Sequence, residues 1–306
     1  MRDAFFNSLY EIAARDKRVI LLAGDNGAMV LDNFRQYIPE QFINTGVAEQ
    51  NMIGIAAGLA LRGKVVYAYT IIPFAVMRCF EQIRVDVSWN NLPVKIIGIG
   101  AGMSYFSLGP THHAIEDIAL MRSLPGITVL SPADNTAASA FARLSYELNE
   151  PSYIRLDRVG EPLVYTKNED DFSDGLSVLK TGRDLWLIAT GGMVSTAQQV
   201  AQELSNHSID AGVIDLYRIK PLNTELLLKA IGNTRYIATL EENSIIAGIG
   251  SIVAEVLAES GRTFLFKRLG LPDRFCGQYG PREHLLALYD LDANGVTGTI
   301  LKWMRA

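Results

Sequence analysis

Cysteine is scarce in this chain, with two residues, Cys79 and Cys276, in 306. They stand far apart, and no CxxC or Cys/His ligand spacing occurs. Neither a disulfide framework nor a zinc site is expected. Histidine is rare too, at four residues. There is no run of lysine and arginine, and the net charge is −5. That balance argues against a nucleic-acid partner. Long apolar runs are missing. The run Met52 to Leu61 is stopped by Arg62-Gly63-Lys64, and the run Val65 to Met77 is short and carries Pro73. Neither spans a bilayer, so no membrane association is expected. The segment Met1-Arg2-Asp3-Ala4-Phe5-Phe6 lacks the apolar core of a signal peptide. A reducing cytoplasm is the expected location.

Hydrophobic residues make up 49% of the chain and charged residues 20%, enough for two substantial cores in 306 residues. Short apolar runs alternate with helical periodicity throughout. The spacing predicts helices over residues 2–15, Phe74 to Ser88, His113 to Arg122 and Asn135 to Asn149. Strands are predicted at Val19–Ala23, Phe42–Ile43, Val65–Tyr69, Val94–Ile99, Thr128–Leu130 and Tyr153–Leu156. Gly160, Pro162 and the acidic cluster Glu169-Asp170-Asp171 then read as a linker. Alternation restarts with strands at Asp184–Ala189, Ala211–Asp215, Arg235–Leu240 and Thr263–Leu269. The expected class is α/β: two doubly wound domains with mostly parallel sheets, at 1–160 and 179–306, joined by a linker at 161–178.

In such sheets ligands gather outside the carboxyl ends of the strands. Asp25, Glu49, the Tyr69 to Phe74 turn, the long Gly98 to His113 loop and Arg158 all fall there. Glu49, in Gly46-Val47-Ala48-Glu49-Gln50-Asn51-Met52, precedes the small-residue helical run Ile53-Gly54-Ile55-Ala56-Ala57-Gly58-Leu59-Ala60. Apolar sequence on both sides predicts a buried carboxylate, which needs a partner or a proton. Two readings stand side by side: a chemical carboxylate, or a first-turn Glu answering the helix dipole. His112 and His113 are adjacent and point apart, which makes a poor metal chelate. Thr111 could serve as a helix N-cap beside solvated histidines. Gly98-x-Gly100-x-Gly102 matches no phosphate-binding fingerprint. Gly248-Ile249-Gly250-Ser251 fits close helix packing better than anion binding.

An ordered set of segments carries a family resemblance. They are Gly24-Asp25-x-Gly27, Gly46 to Met52, Phe80-Glu81-Gln82-Ile83-Arg84, Gly109-Pro110-Thr111-His112-His113, Glu116 to Arg122, Ser131-Pro132-Ala133-Asp134 and Pro151-Ser152-x-x-x-Leu156-x-Arg158. Leu240-Glu241-Glu242-Asn243, Leu271-Pro272-Asp273 and Leu291-Asp292-Ala293 extend the set. The chain resembles the C-terminal half of transketolase and of 1-deoxyxylulose-5-phosphate synthase. It is also similar to the beta subunit of two-subunit thiamine-diphosphate dehydrogenases. The resemblance implies thiamine diphosphate as cofactor, with Glu49 hydrogen-bonded to the pyrimidine ring nitrogen. It implies Phe74 stacked on the pyrimidine, with Ile71 and Met77 beside it and Asp25 reaching the cofactor across an interface. His112 is implied to contact substrate and shuttle protons, with His113 and Leu108 on the same loop as further substrate-binding positions. Arg2 and Arg158 are implied to hold the phosphate end of a sugar.

Three departures qualify the resemblance. Leu108 stands where transketolases place an Asp that reads a sugar hydroxyl. Met29 replaces a phosphate-contacting Ser. The Gly-Asp-Gly that binds diphosphate and Mg²⁺ through oxygen ligands is missing. The resemblance therefore implies one subunit of a split enzyme. An N-terminal partner subunit would supply the Mg²⁺ half, and this chain would self-associate as a homodimer. The expected activity is transfer of a two-carbon ketol unit between sugars or sugar phosphates. The alternatives are a deoxyxylulose-phosphate-synthase-like subunit, a 2-oxo-acid dehydrogenase beta-like subunit, and a non-catalytic assembly subunit.

Overall fold

The structure is a computed structural model that describes residues 1–158, 162–166 and 171–305. Gly160 and Glu169-Asp170, on which part of the linker reading rests, lie outside the described residues. Twelve strands form among those described: β1 Val19–Ala23, β2 Phe42–Asn44, β3 Val65–Ile71, β4 Val94–Ile99, β5 Thr128–Leu130, β6 Ser152–Leu156, β7 Ser177–Lys180, β8 Leu185–Ala189, β9 Ala211–Asp215, β10 Arg218–Lys220, β11 Tyr236–Ser244 and β12 Leu265–Leu271. They make a seven-stranded sheet in the order β10-β5-β6-β4-β3-β1-β2 and a five-stranded sheet in the order β12-β11-β8-β9-β7. The α/β class with mostly parallel strands is as expected.

The continuous apolar runs explain the parallel cores. Val19-Ile20-Leu21-Leu22-Ala23 and Val94-Lys95-Ile96-Ile97-Gly98-Ile99 are buried along their whole length, as strands covered on both faces must be. Each fully buried Leu, Ile or Val contributes about 1.5–3 kcal/mol. Lys95 is the exception inside β4. Its ammonium donates to the carbonyls of Leu148 and Glu150, both at 2.6 Å, and burial lowers its pKa to about 7.

Several elements differ from expectation. The helix expected from Phe74 to Ser88 is split. Helix Ile72–Val76 ends in a turn at Met77–Cys79, and the chain resumes at Phe80–Gln82 before a π-helical stretch Ile83–Ser88. Pro73 sits at its permitted place in the first helical turn. The helix expected from His113 begins only at Asp117. An antiparallel bridge between Gly102 and Ala114 draws the chain out before it can coil. Two short strands were not foreseen. β7 pairs antiparallel with β9, and β10 leaves the second half of the chain to pair antiparallel with β5 in the first sheet.

The segment between the sheets is packed where it is described. Val164 and Tyr165 donate backbone N–H groups to Asp134 Oδ2, both at 2.8 Å. The Tyr165 hydroxyl donates to Asp215 at 2.7 Å. Phe172 stacks edge-on against Phe141, Tyr165 and Tyr217. Among the described residues no helix is long and apolar enough to cross a membrane.

Candidate active site

The helix Glu49–Leu61 follows β2 and packs beneath the first sheet. Its buried side is Glu49, Met52, Ile53, Ala56, Ala57 and Ala60, the i, i+3, i+4 spacing of one face. Glu49 is the first helical residue and is 2% exposed. Both readings of the motif therefore describe its position. The opposite side carries Gly54 and Gly58, both exposed, with nothing within 4 Å of a Cβ at either position. Among the described residues nothing packs closely against these glycines.

Glu49 is paired. Arg78 Nη1 stands 2.8 Å from its Oε2. The same guanidinium lies 4.4 Å from the centre of the Phe74 ring, within cation–π range. Phe74 meets the His112 ring edge-on at 5.3 Å, and His112 meets Tyr105 at 5.8 Å. Arg158 covers Tyr105 at 4.9 Å. A continuous row results: Glu49, Arg78, Phe74, His112, Tyr105, Arg158. It runs along the carboxyl ends of β3, β4 and β6. Four of its members were expected from sequence. Arg78 and Tyr105 were not, although Arg78 lies one helical turn after Phe74, a spacing at which side chains meet.

The remaining expected residues sit around this row. Arg2, bonded to Asp3 at 2.9 Å, lies beside Tyr69, and its charge reaches Tyr105 as well. Asp25 is exposed in a left-handed turn with φ 55°. It exchanges bonds with Asn44: its N–H donates to Asn44 Oδ1 at 3.2 Å and its Oδ1 accepts from Asn44 Nδ2 at 3.0 Å. Its neighbour Gly24 lies in ordinary contact range of Glu49, where a Cβ would stand 3.4 Å from Glu49 Cγ and 3.2 Å from Thr70 Oγ1. Ile71 and Met77 are half-buried on either side of Phe74 in the chain. Leu108 is 46% exposed on the loop.

The two histidines differ. His112 is half-buried, and Thr111 Oγ1 is 2.9 Å from its Nδ1. Thr111 thus ends a short 3₁₀ turn and does not cap an α-helix. His113 is 4% exposed, with Nε2 buried and unbonded. Burial lowers the pKa of both imidazoles, and for His113 the neighbouring His112 adds to the effect. Both are thereby biased toward the neutral form. Among the described residues no three His, Cys, Asp or Glu side chains gather closely enough to hold a metal ion.

Residues 1–160 match the family described as "Transketolase, pyrimidine binding domain", and residues 175–296 match "Transketolase, C-terminal domain". The chain belongs to the transketolase family. It is 36% identical over 306 residues to one of the subunits of the apulose-4-phosphate transketolase of Phocaeicola vulgatus, covering 99% of this chain and 97% of that one. It is 36% identical over 299 residues to the 6-deoxy-6-sulfo-D-fructose transketolase subunit SqwH of Clostridium sp., covering 97% and 92%. A solved structure described as "Split gene transketolase, inactive beta4 tetramer" superposes with TM-score 0.90 at 36% identity, covering 99% of this chain and 98% of that one. The 1-deoxy-D-xylulose-5-phosphate synthase 1 of Geobacter sulfurreducens is 33% identical, with this chain spanning 48% of it.

Family membership implies dependence on thiamine diphosphate, and the residues present fit its pyrimidine. A buried carboxylate at Glu49 and a half-exposed ring at Phe74 give the two kinds of contact an aminopyrimidine takes, a polar edge and a stacked face. Asn26 Oδ1, on the turn after β1, is buried and unbonded at the same sheet edge.

Proposed function

We propose that this chain is the C-terminal subunit of a split transketolase that moves a two-carbon ketol unit between sugars or sugar phosphates. The row from Glu49 through Phe74 to His112 and Arg158 carries this reading. One continuous surface joins a buried carboxylate, a stacking ring, a neutral imidazole and an anion-binding guanidinium.

Thiamine diphosphate, when bound, supplies the carbon nucleophile and electron sink of the transfer. Glu49 would hydrogen-bond the pyrimidine ring nitrogen and share its proton, and its burial would keep water from competing. Phe74 offers its ring to the pyrimidine face, with Ile71 and Met77 as apolar neighbours. Asp25, exposed in its left-handed turn, would reach the cofactor from across an interface. His112, biased toward the neutral form by burial, takes a proton from a sugar hydroxyl and returns it. His113, next to it in the chain, is buried with its Nε2 unbonded and is the second candidate contact for substrate. Arg2 and Arg158 hold the anionic end of the substrate, where a planar fork suits phosphate or sulfonate. The names of two relatives carry such groups, a 4-phosphate and a 6-sulfo substituent. Leu108 offers no hydrogen bond, so a hydroxyl read there by an aspartate goes unread here.

An N-terminal subunit supplies Mg²⁺ and the diphosphate contacts, so the cofactor is shared. Residues 1–160 act as the pyrimidine-binding unit and 179–306 as the second unit, with 161–178 between them. A second copy of the chain covers the exposed Gly54/Gly58 face. The alignment with 1-deoxy-D-xylulose-5-phosphate synthase favours a second reading, as half of such a synthase. Product analysis separates the two, since a synthase releases carbon dioxide from pyruvate and a transketolase leaves pyruvate untouched. Calorimetry with thiamine diphosphate and Mg²⁺ tests the split. The chain alone binds weakly and gains affinity when the N-terminal subunit is added. Tight binding by the lone chain sinks the reading.

A further inference from the structure

The second sheet contributes no side chain to the row from Glu49 to Arg158, yet it grips the loop that carries His112. That loop, Gly98 to His113, is pinched at its neck by paired bonds between Gly102 and Ala114, at 3.0 and 2.8 Å. Beyond the neck, Met103 N donates to Glu242 Oε1 at 2.6 Å. Glu242 belongs to β11, in the other sheet. Its second oxygen accepts from Arg282 Nε at 2.9 Å and from Arg282 Nη2. Arg282 Nη2 also stands 3.1 Å from Asp157 Oδ2, and the Ser104 hydroxyl bonds Asp157 Oδ1. Consecutive loop residues are thus tied to two carboxylates that share one guanidinium. All three charged groups are buried, at 5% for Glu242, 8% for Arg282 and 2% for Asp157.

We propose that Glu242 is a positioning residue: acting from the second domain, it fixes the neck of this loop and thereby sets where His112 stands. This rests on the reading of His112 as the substrate-facing base. A buried ion cluster is a poor source of stability, because desolvation offsets most of its attraction. What it does supply is a single geometry. Gly102 is shaped to admit the carboxylate, with φ +59° and space that a Cβ would close at 2.5 Å from Glu242 Cδ. Two further contacts run from the same domain, one to the chain just beyond the loop's neck and one to the loop itself. Ser244 N donates to Ile115 O at 2.8 Å. The Tyr279 ring lies against Gly109, where a Cβ would meet its Cε1 at 2.8 Å. Inside the lobe, Leu108 N bonds Tyr105 O and His112 N bonds Gly109 O, both at 2.9 Å. The lobe is therefore folded on itself and placed by its neck. A displacement of about 1 Å at a catalytic group costs on the order of 100-fold in rate.

The test compares Glu242→Ala, Glu242→Gln and Tyr279→Ala with wild type in the full chain. Hydrogen–deuterium exchange of amides 103–113 should quicken by about 10-fold or more in Glu242→Ala, while helix 49–61 and β3 keep their protection. Glu242→Gln, which retains an acceptor for Met103, should restore most of the protection. Tyr279 is 63% exposed, so its removal spares the fold and should loosen the crown of the loop alone. In the complex with the N-terminal subunit, kcat on apulose 4-phosphate should fall about 10–100-fold for Glu242→Ala. The dissociation constant for thiamine diphosphate should stay within about 3-fold, because Glu242 touches neither Glu49 nor Phe74. Unchanged loop exchange in every variant overturns the proposal. So does a loss of protection spread over the whole chain with cofactor affinity falling alongside. If wild type leaves apulose 4-phosphate untouched, that one sugar phosphate is excluded as substrate and the exchange data still decide the clamp.

Discussion

Replacing Arg78 with methionine separates the site's electrostatics from its packing. The thioether side chain covers Phe74 much as the guanidinium does, at 4.4 Å in the native chain, but it cannot pair with Glu49. The carboxylate is 2% exposed and its bond to Arg78 spans 2.8 Å. Stripping the partner from a fully buried pair costs about 3–5 kcal/mol. Here the Arg78 side chain is 44% exposed, so water already screens part of the attraction. The expected loss is nearer 1–2 kcal/mol. The sign of its pH dependence follows from the variant's chemistry. An unpaired carboxylate in a dry site takes up a proton, so its folded pKa rises above the unfolded one. Stability is then retained at low pH and lost as pH rises through the raised pKa. Urea titrations at pH 5 and pH 8 measure this. Methionine should cost little at pH 5 and the full amount at pH 8. An equal loss at both values would refute the electrostatic argument and leave Arg78 a packing residue.

Further outcomes follow from the same geometry. Burial lowers the His112 pKa, so the acid limb of kcat/KM should fall below pH 6.5, the ordinary imidazole value. His112→Asn should remove that limb and lower kcat by about 10²–10⁴-fold; a limb that survives assigns the proton transfer elsewhere. Gly58→Leu should dissociate the assembly, because Gly58 faces open space in the chain itself. An unchanged sedimentation profile would place the interface on another face.

Much of the architecture could be read in the sequence because its signals are local. The buried runs at 19–23, 94–99, 185–189 and 211–215 are short and apolar, and each forms a strand. β7 and β10 escaped because three or four polar-flanked residues, Ser177–Lys180 and Arg218–Lys220, carry no period. Their pairing is decided by tertiary context. The helix predicted from His113 failed for a related reason: the bridge between Gly102 and Ala114 is a long-range contact that overrides local propensity. At the site, Glu49 stood out from its own surroundings, while Phe74, His112 and Arg158 lay at strand ends and took their roles from the family resemblance. Arg78 did not, because an arginine on a helix reads as solvated until its guanidinium is seen bridging a carboxylate and a ring. Glu242 was singled out only as part of a family segment and Arg282 not at all, because their hold on the loop acts across domains, about 140 and 180 residues away in sequence.

The central claim is that Glu49 works on the cofactor through a shared proton. Glu49→Gln is nearly isosteric, so assembly with the N-terminal subunit should survive. The amide cannot share a proton with the pyrimidine nitrogen as a carboxyl does. The direct measurement is NMR-detected exchange of the C2 proton of bound thiamine diphosphate, in wild-type and Glu49→Gln complexes. Exchange should be slower in the variant by at least about 100-fold, a loss of roughly 2.7 kcal/mol or more. Exchange as fast in the variant as in wild type would contradict the account and leave Glu49 as the first residue of a helix, paired with Arg78 for structural reasons alone.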